Sequence, residues 1–262
     1  MSYQCIVFAV EDGIARLTFN RPERLNSFNT QMHGEVRAAL ATLGAVGARV
    51  LVLTGAGRGF CAGQDLGDRA VAPGAGPPDL AASIEQYYKP LVLTLRGLPM
   101  PVIAAVNGVA AGAGANIALA CDLVIAARSA TFVQAFSKLG LVPDSGGTWF
   151  LPRLVGTARA LGLALLGEKL SAEQAAAWGL IWRCVEDAEL SGVVDALAQA
   201  LAAAPTRGLA RTKEAIYGSW TRDLAAQLDV ERDFQGELGR SADYAEGVAA
   251  FSEKRAPRFT GR

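Results

Sequence analysis

Three short apolar runs, RVLVLTG (49–55), PVIAAVNG (101–108) and DLVIAARS (122–129), set the narrowest limit on how this chain can fold. None alternates as a strand with one wet face does, so each reads as a strand buried on both sides. Helical patterns stand between them. NTQMHGEVRAALATL, capped by Asn29 and running to about Leu43, precedes the first; DLAASIEQYYKPLVLTLRGL (79–98), broken near Pro90, precedes the second; another from about Ala113 precedes the third. Buried strands alternating with helices predict an α/β core with parallel pairing. Ahead of it, CIVFAV (5–10) and IARLTFN (14–20) flank EDG as a β-hairpin.

Past residue 150 the pattern turns helical. LVGTARALGLALLG and SAEQAAAWGL, the latter with Ser171 as cap and Gln174 completing a capping box, lead to a short strand, IWRCV (181–185). Nearly everything from about Asp187 reads as helix, with Pro205 opening another one. The expected organisation is an α/β core over 1–200 and a helical appendage over 201–262, with RAVAPGAGPPDL (69–80) as a mobile surface loop.

Composition removes several functions. Lys plus Arg (25) equal Asp plus Glu (25), so no net field recruits nucleic acid or an anionic membrane. The start, MSYQCIVFAVEDG, lacks a leader pattern, and no apolar run approaches the roughly 18 residues of a membrane span. A soluble cytoplasmic protein is expected. Cys5, Cys61, Cys121 and Cys184 are scattered with no metal-binding spacing, and His33 is the single histidine. No metal site is expected, and a Ser-His-Asp or Cys-His mechanism would depend on His33, which sits in an amphipathic helix pattern as an ordinary surface or core-edge residue.

Two glycine-rich loops follow buried strands: TGAGRGFCAGQDL (54–66) and NGVAAGAGANIALA (107–120). A dinucleotide fingerprint at GAGAN would need glycine at Ile117, and GAGRGF lacks the lysine of a phosphate loop. Small residues for tight packing explain Ala110 to Ala115 well and Arg58 and Asp65 less well. The remaining reading is an oxyanion hole with one backbone N–H from each loop. Further on, SKLGLVPDSGGTWFLPRL (137–154) sets one carboxylate, Asp144, among apolar residues and glycines. Poor solvation raises a carboxylate's proton affinity toward that of a general base. Pro143, Ser145, Gly146 and Gly147 equally suit an aspartate that only shapes a turn.

NRPERLNSFN, GRGFCAGQDL, PVIAAVNGVAAGAGANIALACDLVIAARSATF, KLGLVPDSGGTWFLPRLVG and AFSEKR, in this order from about Val7 to Arg262, resemble the crotonase superfamily of enoyl-CoA hydratases and isomerases. The resemblance implies a spiral of repeated ββα units with a C-terminal helical trimerisation region. It also implies an acyl-CoA substrate, with no cofactor beyond the coenzyme A that the substrate carries, and a homotrimer or hexamer. By position the oxyanion donors are the N–H groups of Gln64 and Ala113. Arg24, Leu25, Ala62, Asp65 and Leu66 fall in the segments that border coenzyme A, and Phe251 and Lys254 in those that reach a neighbouring subunit's coenzyme A. Asn116, Phe136 and Trp149 would wall the acyl pocket.

The two glutamates that hydratases of the family use are replaced by Asn116 and Phe136, so water addition loses its machinery. Asp144 matches the position where certain isomerases and an aryl-CoA dehalogenase carry their functional carboxylate. The dehalogenase route needs a histidine that the segment from Asp68 to Gly108 lacks, which leaves proton transfer. QAFSKLGLVPDSGGTW, RGFCAGQDLGDR and VERDFQGELGRSADYAEGVAAF are most similar to the branch that isomerises ring-1,2-epoxyphenylacetyl-CoA to the oxepin and shifts a double bond in bacterial phenylacetate breakdown. A Δ3,Δ2-enoyl-CoA isomerase or hydratase of fatty acid oxidation is the alternative.

Overall fold

The computed structural model describes residues 3–67 and 79–261. The hairpin forms where its turn residues direct it: β1 (Ile6–Glu11) and β2 (Ile14–Phe19) pair antiparallel around Asp12 and Gly13, both at positive φ. α1 (Thr30–Thr42) starts where Asn29 Oδ1 accepts the Met32 N–H at 2.9 Å. β3 (Val50–Gly55) and β4 (Gly59–Cys61) follow. The helical segment after them does not break at Pro90 as expected. α2 (Leu80–Ser83), a π-helical turn over Ile84–Tyr88 and α3 (Lys89–Gly97) run on as one rod, and the Lys89 N–H reaches back five residues to Ile84 O. The wider π turn absorbs the N–H that proline lacks without stopping the helix.

The strand-strand-helix unit then repeats as β5 (Val102–Val106), β6 (Val109–Ala111) and α4 (Ala113–Leu119), and begins again as β7 (Leu123–Ala127) and β8 (Thr131–Val133). α5 (Gly147–Leu166), β9 (Lys169–Ser171), α6 (Ala172–Ala177) and β10 (Arg183–Val185) close the core. From β3 to β8 successive strands alternate between two sheets, one ordered β1-β2-β3-β5-β7-β10 and the other β4-β6-β8-β9. Among the described residues only β1 with β2 and β8 with β9 are antiparallel. The chain thus spirals through both sheets once per unit, which is the expected repeated ββα architecture. The second sheet's strands β4 and β6 lie within the two glycine-rich segments expected as loops, and all four of its strands are only three residues long.

α7 (Leu190–Ala203), α8 (Thr206–Gly218), α9 (Leu224–Leu238) and α10 (Ala242–Ser252) complete the expected helical end. Two polar anchors hold it to the core. Asp122 receives Lys213 Nζ at 2.9 Å and the Tyr217 hydroxyl, and Arg49 donates to Ala204 O, Thr206 Oγ1 and Phe259 O at 2.6, 2.9 and 3.1 Å. Among the described residues α5 alone is long and apolar enough, by length and composition, to cross a bilayer. Arg153 and Arg159 interrupt its apolar run, and Gly156, at φ +77° and ψ 161°, breaks its helical geometry. The loop expected at 69–80 lies, except for Asp79 and Leu80, outside the described residues.

Candidate active site

The two glycine loops meet at Gly63. Its φ is +92°, and a Cβ there would lie 2.9 Å from Ala111 O and 3.3 Å from Ala113 N, so only glycine lets the loops approach this closely. The neighbouring Phe28 strand takes the polar groups on either side, with the Phe28 N–H donating to Gly63 O at 2.7 Å and the Asp65 N–H to Phe28 O at 2.9 Å. Gln64 N–H between them points the other way by the alternation of an extended chain. Ala113 is the first residue of α4, where an N–H has no intrahelical acceptor. Among the described residues neither N–H donates a hydrogen bond to the protein. Tyr88, on the π turn, donates its hydroxyl to Gln64 Oε1 at 2.6 Å and so fixes the side chain of one donor residue.

Asp144 lies in the turn before α5, half-buried, with Ser145 Oγ donating to its Oδ1 at 2.9 Å. Ser145 at φ +50° and Gly146 at φ +86° reverse the chain here. The main-chain oxygen of Asp144 accepts twice, from Gly147 N–H and from Asn116 Nδ2, both at 2.8 Å. Asn116 is fully buried, and its Oδ1 in turn accepts Gln134 Nε2 at 2.8 Å. One short helix therefore carries an N–H without an intrahelical acceptor at its first residue and, one turn later, tethers the loop of Asp144. The amide of Asn116 serves this scaffold. Phe136 is buried over the same helix start, its Cζ 3.7 Å from where a Cβ on Gly112 would sit.

This tether predicts a measurable phenotype. Asn116→Ala leaves Gln134 Nε2 without its acceptor and takes away one of the two donors to Asp144 O, a loss of about 1–3 kcal/mol in stability. Because the loop bearing the carboxylate slackens while the backbone donors stay, kcat is expected to fall about tenfold or more with KM nearly unchanged. Steady-state kinetics beside thermal melting checks both; an unchanged kcat in a destabilised protein would reduce Asn116 to a packing residue.

The sequence matches the family described as "Enoyl-CoA hydratase/isomerase" over residues 9–262. The chain belongs to the enoyl-CoA hydratase/isomerase family. It is 59% identical to the Escherichia coli (strain K12) 1,2-epoxyphenylacetyl-CoA isomerase over 98% of both chains. It is 34% identical to the trans-2-decenoyl-[acyl-carrier-protein] isomerase of Streptococcus mutans over the full length of each. The crystal structure of an enoyl-CoA hydratase from Bacillus anthracis superposes with a TM-score of 0.93 at 32% identity, covering 99% of this chain and 100% of that one.

In this family member Arg24, Leu25, Ala62, Asp65 and Leu66 lie along one rim. Ala62 N–H donates to Leu25 O at 2.9 Å, and Leu25 and Asn26 take consecutive positive φ values of 48° and 57°. What holds the rim escaped the sequence reading. The buried Asn26 amide donates to Ala56 O and Gly59 O at 2.9 and 2.8 Å and accepts the Arg21 N–H at 2.8 Å. The Arg21 guanidinium grips the Asp65 carboxylate at 2.8 Å, where both side chains are largely covered. Burial works to raise the Asp65 pKa, but the bond from Arg21, the Gly67 N–H and the charges of Arg21 and Arg24 outweigh it and hold the carboxyl below its ordinary value. Both residues stood in plain view in NRPERLN, yet only left-handed backbone at Leu25 and Asn26 reveals their role. Phe251 and Lys254 stand exposed at the end of α10, and among the described residues no hydrogen bond or ion pair joins either to that rim. Trp149, also partly exposed, faces Arg96 and Arg153.

Proposed function

We propose that this chain isomerises coenzyme A thioesters, converting 2-(1,2-epoxy-1,2-dihydrophenyl)acetyl-CoA to the oxepin thioester and shifting the double bond of an unsaturated acyl-CoA in phenylacetate catabolism. The observation that supports it is the Asn116 tether, which ties the main chain of Asp144 to the helix that begins at Ala113, with Asn116 and Phe136 standing where a hydratase needs acids. The 59% identity to a 1,2-epoxyphenylacetyl-CoA isomerase supports the substrate.

The chemistry follows from charge. A thioester oxygen held by the N–H groups of Gln64 and Ala113 acidifies the adjacent carbon, because the electron pair left by its proton moves onto that oxygen. Asp144 takes the proton and returns one elsewhere in the conjugated system. In the double-bond shift the C–H bond next to the carbonyl breaks and a C–H bond forms two carbons further on. In the ring reaction the carbon–carbon bond shared by epoxide and six-membered ring opens while a proton passes from the side chain to the ring. Both leave composition unchanged, so one carboxylate and no added cofactor suffice. Asn116 and Phe136 cannot position and deprotonate water. Formation of 3-hydroxyacyl-CoA from a 2-enoyl-CoA is therefore expected to run about 10²–10⁴ below that of a two-glutamate hydratase; brisk hydration in a coupled dehydrogenase assay would contradict the assignment.

Assembly into a homotrimer or a dimer of trimers is supported by the large apolar side chains left exposed on α8 to α10 and their connections, among them Trp220, Leu224, Tyr244 and Phe251. Phe251 and Lys254 would then complete the coenzyme A site of a neighbouring subunit. Four free cysteines suit a reducing compartment such as the cytoplasm.

A further inference from the structure

A cavity of about 1030 Å³ is lined by α3, by Gly146 and the first turn of α5, and by α8. Gln64, Ala113 and Asp144 take no part in it. Its walls are mostly apolar, with Val92, Leu93, Leu98, Trp149 and Phe150 prominent. Four cations also line it: Arg96, Arg207, Arg211 and Lys213. Three are already matched. Arg207 meets Glu237 at 2.6 Å, Arg211 meets Glu214 and Glu237 at 2.6 and 2.8 Å, and Lys213 meets Asp122 at 2.9 Å.

Arg96 differs. Its guanidinium carbon lies 3.0 Å from the centroid of the Tyr217 ring and 5.4 Å from those of Trp149 and Phe150, and among the described residues it forms no ion pair. Three rings hold the guanidinium by cation–π attraction and fix its plane; the Tyr217 side chain also hydrogen-bonds it and the Asp122 charge supports it, while its N–H fork pairs with no carboxylate among the described residues. A planar, permanently charged donor set, held rigidly at the wall of an apolar cavity, is complementary to a carboxylate carried on an apolar body. The neighbouring charges sharpen that complementarity: Asp122 is shared by Lys213 and the Tyr217 hydroxyl, so the buried group of Arg96, Lys213 and Asp122 keeps one positive charge in excess.

We propose that this cavity is a second ligand site, one that takes a free carboxylic acid with an aromatic or aliphatic body, its carboxylate on the Arg96 fork and its body against the apolar walls. The site stands independently of which thioester Asp144 serves. Its volume suits a body of drug-like size, and the flanking rings favour a flat one.

Calorimetric titration of the whole protein with 4-phenylbutyrate, octanoate and the uncharged 4-phenylbutan-1-ol tests this. The two carboxylates are expected to bind saturably, and the alcohol at least about tenfold more weakly, because it lacks the charge and the second acceptor. Arg96→Met, which keeps the length and loses the fork, should weaken carboxylate binding by about tenfold or more, with Arg96→Lys falling between. A saturating coenzyme A thioester should leave carboxylate binding in place. Absence of saturable binding to the wild type, equal binding of acid and alcohol, or displacement by the thioester would each overturn the proposal. The acid and alcohol comparison needs no variant, so the test holds even where Arg96→Met fails to fold.

Discussion

Asp144→Asn is expected to lower kcat by about 10²–10⁴, the usual contribution of a general base, while thioester affinity stays within a few-fold of the wild type. The substitution is chosen to disturb nothing else. An asparagine oxygen can still accept Ser145 Oγ, and the main-chain oxygen still receives Asn116 Nδ2 and Gly147 N–H, so the turn keeps its shape. The N–H groups of Gln64 and Ala113, the proposed carbonyl site, lie on other loops and are untouched. What disappears is proton affinity: an amide cannot take a proton at neutral pH. Turnover measured beside binding of a non-reactive thioester separates the two effects. A variant that isomerises at nearly the wild-type rate would return Asp144 to the role of turn former.

Ala113→Pro is expected to cost about 10²–10³ in kcat, the loss typical of deleting one oxyanion donor. Ordinary side-chain substitutions at Ala113 cannot test a backbone N–H. Proline can, because Ala113 is the first residue of α4, and that is the helix position where proline is tolerated and where the N–H makes no helical bond. The helix and its Asn116 tether should therefore survive. Thermal melting close to wild type together with the kinetic loss would mark the N–H as catalytic. Retained activity in a folded variant would mean that the carbonyl oxygen is held elsewhere.

The fold was legible where burial leaves a mark in composition. The runs that became β3, β5 and β7 are apolar because both faces of those strands are covered, and Asn29 and Ser171 cap their helices as their chemistry requires. The second sheet left no such mark. Its strands are three residues long, and the glycines around them serve close backbone approach. Pro90 misled because a π turn that absorbs a proline has no pattern distinct from a helix break. At the site, residue identities showed which groups could react, but not what holds them. Asn116 read as a pocket wall and as an absent glutamate; that its amide supports the Asp144 turn depends on α4 and residue 144 meeting 28 positions apart, which spacing does not encode. Gln134, Arg21, Asn26 and Arg96 likewise act through partners remote in sequence, which spacing does not encode.

The most direct test of the central claim is to give the purified protein 2-(1,2-epoxy-1,2-dihydrophenyl)acetyl-CoA and an aliphatic 3-enoyl-CoA in parallel and compare kcat/KM. Faster conversion of the ring epoxide to the oxepin thioester is the expected result. Efficient isomerisation of the aliphatic thioester with the ring epoxide left intact would contradict it.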